Sequence, residues 1–293
     1  MQRFPACASV LTGTALLFSG ALGAQPLFRS VEVTTVGLEY VPLALCVAAL
    51  DGDGLTDAAV THGDDARLTV LLNGPEGRLA PAGTHAVGLS PLAVASGDFE
   101  GDGHPDLLVC DSGSSTVSVL RGLGGGKFAP AAATPVPEPR AAKLADLDGD
   151  GALDAVVASN VGAERGALIV LRGDGRGGFK AAKHFDVGDD PHALVVEDFT
   201  GDGFLDVAVA QTLSLAWFQG QAGGALAPAV RTGLEGNPRF ITGGDRDRDG
   251  LLDLAAILDQ GLFGVLHNRG GGAFEPRWIA NIGGGAARPA VAP

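Results

Sequence analysis

The chain has 293 residues and 46% apolar side chains, a composition that excludes a disordered protein. Its formal charge is −14 at pH 7, and without a basic stripe neither nucleic acid nor an anionic membrane surface is an expected partner. The 46 glycines follow no Gly-X-Y period, which favours an all-β fold with many tight turns over collagen or a linker.

Residues 1–24 contain one arginine and an apolar run that ends in small residues. The run is too short for a stable membrane span and is typical of a secretory signal peptide, cleaved near Ala21 or Ala24. Cys7 precedes this run, whereas a lipidated cysteine would follow it. We therefore expect a secreted protein, extracellular or periplasmic, with no membrane span.

A nine-residue acidic motif recurs five times along the rest of the chain. The copies, named loop 1 to loop 5, are ALDGDGLTD (49–57), DFEGDGHPD (98–106), DLDGDGALD (146–154), DFTGDGFLD (198–206) and DRDRDGLLD (245–253). They hold 18 of the 34 acidic residues. A proline stands nine residues before the third position of every loop: Pro42, Pro91, Pro139, Pro191 and Pro238. Two features in register five times indicate an internal repeat.

Each unit predicts four β-strands. One follows the proline, one follows the acidic loop, and two form a hairpin around a glycine-rich turn, as in LIVLRGDGRGGFKA. The expected units are residues 41–88, 89–136, 137–188, 189–235 and 236–284, followed by a flexible tail, 285–293. We expect an all-β protein: a β-propeller of about five four-stranded blades.

The first strand of each unit has one bulky and one small face. In unit 1 the bulky face has Leu43, Leu45 and Val47, and the small face has Ala44, Cys46 and Ala48. Successive side chains point to opposite sides of a strand, so this pattern suits a sheet packed between two similar sheets.

Residues 27–37, LFRSVEVTTVG, resemble the last strand of a unit but precede the first unit. This extra N-terminal strand could complete the last blade and close the ring. The segment AFEPRWIANIG near the other end also supplies such a strand, so the mode of closure stays open.

The alternating acids of loop 3 fit a calcium ion. Carboxylates at positions one, three, five and nine and the carbonyl at position seven supply hard oxygen ligands. These are Asp146, Asp148, Asp150, Asp154 and the carbonyl of Ala152. An EF-hand would need a glutamate at position 12, which is Val157, while magnesium prefers to keep its waters and zinc prefers histidine or cysteine. A solvated acidic turn is the alternative without a metal.

The loops, prolines and hairpins together resemble the FG-GAP or VCBS repeat family, which includes the propeller of integrin α-subunits. The resemblance covers about residues 27–284 and implies four or five calcium ions, with these residues around them: Asp51, Asp53, Leu55, Asp57; Asp98, Glu100, Asp102, His104, Asp106; Asp146, Asp148, Asp150, Ala152, Asp154; Asp198, Thr200, Asp202, Phe204, Asp206; Asp245, Asp247, Asp249, Leu251 and Asp253.

Several loops depart from this pattern. Ala49 replaces the first acid of loop 1, so that loop should bind most weakly. Glu100 and Thr200 occupy position three of loops 2 and 4, and Arg248 replaces a glycine in loop 5.

The sequence favours a binding protein over an enzyme. No pair of histidines has metal-ligand spacing and no G-x-S-x-G motif is present, although a polysaccharide lyase or hydrolase on a calcium-loop propeller is the alternative. Arg140, His192 and Arg239 follow three of the five prolines and could receive an anionic group, or could simply be solvated. We expect calcium to be structural and the partner to be an extracellular protein or a cell-surface glycan, in an adhesion-type role that rests on the family resemblance.

Cys46 and Cys110 remain after removal of the signal peptide, either as a disulfide or as two buried thiols.

Overall fold

The structure is a computed structural model that describes residues 41–63, 65–162, 165–259 and 261–281. All of these belong to one compact unit, Val36–Pro293, and the second unit, Met1–Thr35, lies outside the described residues. The predicted signal peptide, the extra strand at 27–37 and the tail at 285–293 lie outside them too.

The described chain forms five four-stranded antiparallel sheets. Sheet 1 contains β1 (Pro42–Ala48), β2 (Asp57–His62), β3 (Arg67–Asn73) and β4 (Leu79–Ala86). Sheet 2 contains β5 (Pro91–Gly97), β6 (Asp106–Asp111), β7 (Thr116–Leu120) and β8 (Ala132–Pro135). Sheet 3 contains β9 (Pro139–Ala145), β10 (Asp154–Gly162), β11 (Arg165–Gly173) and β12 (Phe179–Val187).

Sheet 4 contains β13 (Ala193–Glu197), β14 (Asp206–Gln211), β15 (Ser214–Phe218) and β18 (Val230–Gly233). A two-stranded ribbon of β16 (Gly220–Gln221) and β17 (Ala225–Leu226) lies in the connection between its last two strands. Sheet 5 contains β19 (Pro238–Gly244), β20 (Asp253–Leu258), β21 (Leu262–Asn268) and β22 (Phe274–Asn281). Each sheet is therefore one up-and-down unit of four strands that are consecutive apart from this ribbon.

Consecutive sheets pack face to face through their side chains. The first strands contact one another in the order β1, β5, β9, β13 and β19. Four apolar clusters each fill the space between two neighbouring sheets, and Phe99, Phe199 and Phe218 are among their fully covered members. Within the described ranges no strand of one sheet pairs with a strand of another, so the β-propeller is not closed by hydrogen bonds there. The prediction of an all-β propeller with four strands per unit is confirmed.

The first strands have one face of small residues and one of bulky residues, as predicted, and in β1 the small face packs against the next sheet. Cys46 and Ala48 pack toward sheet 2, whereas Leu43, Leu45 and Val47 point away from it. Leu45 is 59% exposed, while Val94, its counterpart in sheet 2, is half-buried against sheet 1. On this face of sheet 1 the apolar side chains of β1 are thus exposed, whereas Ala58, Val60 and Leu71 of β2 and β3 are buried.

The two cysteines are not joined by a disulfide. Cys46 is half-buried and Cys110 is fully buried, and both thiols are free. Burial raises the pKa of Cys46 to about 11 and raises that of Cys110 as well, so neither thiol ionises readily.

The helices of the described chain are two three-residue 3-10 turns, Ser112–Ser114 and Ala222–Gly224. Neither these turns nor any other helix among the residues described above has the length and apolar character to cross a membrane.

Candidate metal centres

Each acidic loop connects the first strand of a sheet to the second. The second strands β2, β6, β10, β14 and β20 all begin at the aspartate in position nine of their loop. The five loops therefore occupy the same corner of five similar sheets.

The tight course of the loops depends on positions four and six. In loop 3, Gly149 and Gly151 have φ angles of +76° and +87°, a region that side chains with a Cβ rarely adopt. Arg248 takes the same left-handed conformation at position four of loop 5, with a φ of +64°. Its backbone N–H donates to Asp245, as the glycine N–H does in loops 2 to 4, so the arginine preserves the loop.

The aspartate at position nine is a buried structural clamp. In loop 4, Asp206 is fully buried; its Oδ2 accepts from the N–H groups of Phe199 (2.9 Å) and Thr200 (3.1 Å), and its Oδ1 from Gly220 (2.6 Å). The same pattern recurs at Asp57, Asp106, Asp154 and Asp253. Each of these side chains therefore ties its loop to the far end of the third strand.

Burial and hydrogen bonding shift the pKa values of the acids in a loop in opposite directions. Burial raises the pKa of Asp206 at position nine and also that of Asp106. At position five the backbone N–H of Phe204 lowers the pKa of Asp202. For Asp98 at position one, burial acts to raise the pKa, but N–H donors led by Gly103 outweigh it and the pKa is lowered.

The carboxylates at positions one, three and five converge in two loops. In loop 3 these are Asp146, Asp148 and Asp150, and in loop 5 Asp245, Asp247 and Asp249; within each loop the oxygens lie within 4.8 Å of one another. Three carboxylate oxygens this close repel one another in the absence of a cation and match the ligands that calcium takes. The residues present in loops 3 and 5 therefore fit a divalent ion.

The other three loops bring fewer acids together. Glu100 of loop 2 turns to Arg121, with 2.9 Å between its Oε1 and Nη1 of the arginine. Thr200 of loop 4 contributes a hydroxyl that donates to Asp198 at 3.5 Å. Loop 1 begins with Ala49 in place of an acid and therefore lacks the carboxylate that position one supplies elsewhere.

In sheets 2 to 5 a side chain at the end of the third strand contacts the loop, a feature that the sequence analysis missed. These residues are Arg121, Arg172, Gln219 and His267; sheet 1 has Leu72 at the corresponding position, packed into the apolar cluster between sheets 1 and 2. Gln219 donates to Asp202 at 3.1 Å, and His267 contacts Asp247 and Asp253. The repeat alignment contained the signal, because these residues follow the third-strand apolar run at the same offset in every unit.

Loop 3 carries two cations of its own. Nη1 of Arg172 bonds to Asp154 and lies 3.5 Å from Asp148, while Nη2 bonds to the carbonyl of Gly224 in the connection between β15 and β18 of the next sheet. Nζ of Lys180 lies 3.0 Å from Oδ2 of Asp150. The loop with the most regular acidic sequence is thus partly neutralised by the protein itself.

The two arginines and the histidine proposed to bind an anionic ligand each lie near an acid. Arg140 and His192 both approach Asp190, with separations of 3.9 Å, and Arg239 approaches Asp259 at 3.9 Å. His192 also bonds to the carbonyl of Pro238 through Nε2. An anionic ligand would therefore have to compete with these carboxylates.

A cleft of about 690 Å³ lies between sheets 1 and 2. The hydroxyl groups of Thr84, Ser114, Thr116 and Ser118 line it, together with the ring of Phe128. This mixture of hydroxyls and one aromatic face is suited to a polar organic ligand.

Four-stranded sheets joined by side-chain packing, each with an acidic loop at the same corner, define a β-propeller repeat protein. The chain matches the FG-GAP-like repeat over residues 50–109, 98–157, 146–209 and 198–256, and it belongs to this family. The resemblance inferred from the loops is thereby confirmed. No curated protein is matched by the sequence.

Solved structures share the fold at low identity. A lectin of Agrocybe aegerita, described for its recognition of non-reducing terminal N-acetylglucosamine, is 20% identical with a TM-score of 0.53, over 81% of this chain and 66% of the lectin. BBS1N, in a complex with ARL6DN soaked with lead, is 16% identical with a TM-score of 0.51, over 85% and 84%. A putative 6-phosphogluconolactonase from Bacteroides uniformis is 17% identical with a TM-score of 0.57, over 80% and 70%. These likenesses show the fold alone.

Proposed function

We propose that the protein is a secreted, calcium-stabilised binding module whose partner is an extracellular protein or a cell-surface glycan. The observation that carries this proposal is the repetition of one acidic loop at the same corner of five sheets. Five copies of one chemical group serve stability better than catalysis, since an active site needs different groups that converge on one substrate.

Calcium is the ion that the loops favour. The convergent carboxylates of loops 3 and 5 supply hard oxygen ligands, and position five stays ionised because backbone N–H groups lower its pKa in loops 3 and 4. The lysine and arginine beside loop 3 and the missing acid of loop 1 imply unequal affinities. Four or five ions in total are proposed, with loop 1 the weakest.

Calcium binding is expected to raise the free energy of unfolding by several kcal/mol. A site with a dissociation constant of about 0.1 mM in roughly 1 mM calcium stabilises the fold by about 1.4 kcal/mol. Four or five independent sites add about 6–7 kcal/mol, comparable with the stability of a whole domain. EDTA should therefore lower the melting temperature by more than about 10 °C. An unchanged melting curve would refute the calcium proposal.

The binding surface is proposed to lie away from the loops, where the units differ. Arg140, His192 and Arg239 could receive a carboxylate or uronate in exchange for the nearby Asp190 and Asp259. A glycan array and a cell-surface protein pull-down with calcium-loaded protein would identify the ligand class. The double variant Arg140→Ala/Arg239→Ala should abolish binding of an anionic ligand, and retained binding would remove this part of the proposal. A polysaccharide cleavage screen on the same protein tests for an enzyme.

A further inference from the structure

His267 places a nitrogen donor against the acids of loop 5. Its Nδ1 atom lies 3.0 Å from Oδ1 of Asp253, a hydrogen bond in which Nδ1–H donates to the carboxylate, and 3.4 Å from Oδ2 of Asp247. The three ligand atoms lie within 4.8 Å of one another. The side chains of His267 and Asp253 are 10% and 2% exposed, so solvent reaches this cluster mainly at Asp247.

These separations suit a zinc-like ion. Zinc binds imidazole nitrogen and carboxylate oxygen at about 2.0–2.2 Å in tetrahedral geometry, which places two ligand atoms about 3.3–3.5 Å apart. The 3.4 Å distance from Nδ1 to Asp247 matches this separation, and the 3.0 Å distance to Asp253 is that of the hydrogen bond that the ion would replace. Calcium instead takes oxygen ligands at about 2.3–2.6 Å, so the imidazole adds nothing to a calcium site.

Comparison with the other units shows that the nitrogen donor distinguishes unit 5. The corresponding third-strand residues are Leu72, Arg121, Arg172 and Gln219. Leucine has no donor atom, arginine keeps its proton and repels a cation, and the glutamine amide donates to Asp202. Of these five positions only the one in unit 5 has a side chain whose nitrogen lone pair can bind a metal.

The backbone holds the imidazole and its partner in place. Asn268, the next residue, donates its N–H to Asp253 at 2.9 Å, and its side chain donates to the carbonyls of Phe199 and Leu252. The end of β21 is therefore fixed against loop 5 and against the loop of the preceding sheet. A ligand set held by its supporting structure needs little rearrangement on binding.

We propose that loop 5 binds a zinc-like divalent transition-metal ion through Nδ1 of His267, whose proton the ion displaces to solvent, and the carboxylates of Asp247 and Asp253. This inference builds on the proposed metal-binding role of the loops and changes the ion in one of them. Asp247 and Asp253 also belong to the calcium ligand set of loop 5, so the two ions compete there and calcium keeps the other loops.

The test uses the full chain in excess calcium, titrated with Co2+ while its visible absorption is recorded, and with Zn2+ by calorimetry. One equivalent should bind with the absorption of a nitrogen- and oxygen-ligated ion. His267→Gln, which installs the residue of unit 4, should weaken binding by more than about a hundredfold, since losing even a hydrogen-bond partner of a ligand costs about 10- to 100-fold. The matched control is His184→Gln, a change at an exposed histidine of β12. Equal losses in the two variants, or no loss in the first, would overturn the inference.

A gain-of-site variant gives independent support. Unit 4 has Thr200 and Gln219 where unit 5 has Asp247 and His267. The double variant Thr200→Asp/Gln219→His should bind a second equivalent of Co2+, and a stoichiometry still at one would count against the proposed ligand set.

The calcium response of the same samples separates the two proposals. A melting temperature that rises with calcium in a protein that binds no Co2+ overturns the zinc inference alone. A Co2+ site in a protein that calcium does not stabilise overturns the calcium proposal alone.

Discussion

The buried aspartate at position nine should stabilise the fold without any metal. Asp206 is suited to a test, because it accepts hydrogen bonds from three backbone N–H groups. Asp206→Ala would leave the N–H groups of Phe199 and Gly220 without their acceptor inside the protein. Each orphaned buried N–H costs about 1–3 kcal/mol. Removal of a carboxylate whose burial is itself unfavourable offsets part of this loss, so the expected destabilisation is about 2–4 kcal/mol.

The assay is urea unfolding in EDTA, followed by circular dichroism. Asp202→Ala is the matched control, because Asp202 belongs to the same loop but is exposed, so that water replaces its hydrogen bonds with Phe204 and Gln219 at little cost. In EDTA this control should unfold at the urea concentration of the parent, and in calcium it should lose part of the calcium stabilisation. If the free energy of unfolding of Asp206→Ala in EDTA lies within about 0.5 kcal/mol of the parent value, the hydrogen bonds of Asp206 do not stabilise the fold and the prediction is wrong.

Three further predictions concern single side chains. Arg172→Gln, the residue of unit 4, removes a cation from loop 3 and should tighten calcium binding there by about 1–2 kcal/mol, or five- to thirtyfold, in calorimetry at low salt; unchanged affinity would contradict it. Burial raises the pKa of Asp111, so its contribution to stability is full below the ordinary value of about 3.9 and is lost as the pH rises through the raised value. Asp111→Asn cannot ionise and should flatten the fall of the urea midpoint above pH 4, whereas a parallel fall would exclude Asp111 as its source. Leu45→Lys, at an exposed position of β1, should change stability by less than about 0.5 kcal/mol, and a larger loss would mean that this side chain is covered in solution.

The fold could be read from the sequence because each unit repeats its local signals. Pro139, loop 3 and the glycine-rich turn after Leu171 mark three of the boundaries of sheet 3, and the other units carry corresponding signals. A chance pattern would not recur in register, so repetition compensated for the weakness of each single signal. The small face of β1 likewise predicted packing against a neighbouring sheet.

The electrostatics of the loops could not be read in the same way. Loop 3 has the most regular acidic sequence, but Arg172 approaches it from a strand 18 residues beyond Asp154. Glu100 has the right chemistry for position three, yet in the structure it bonds to Arg121. Such long-range partners depend on how the third strand lies over the loop, which local sequence does not specify.

The two hydrogen bonds of the Arg172 guanidinium affect the order in which the sheets separate when the protein unfolds. One nitrogen bonds to Asp154 in sheet 3 and the other to Gly224 in the connection between β15 and β18 of sheet 4, so a single side chain fastens two neighbouring sheets where a metal ion would act only within one. Repeat proteins unfold as chains of neighbouring units, and the weakest junction opens first. When calcium is scarce, sheet 4 should therefore stay joined to sheet 3 through Arg172 and to sheet 5 through the bond of Asn268 to Phe199.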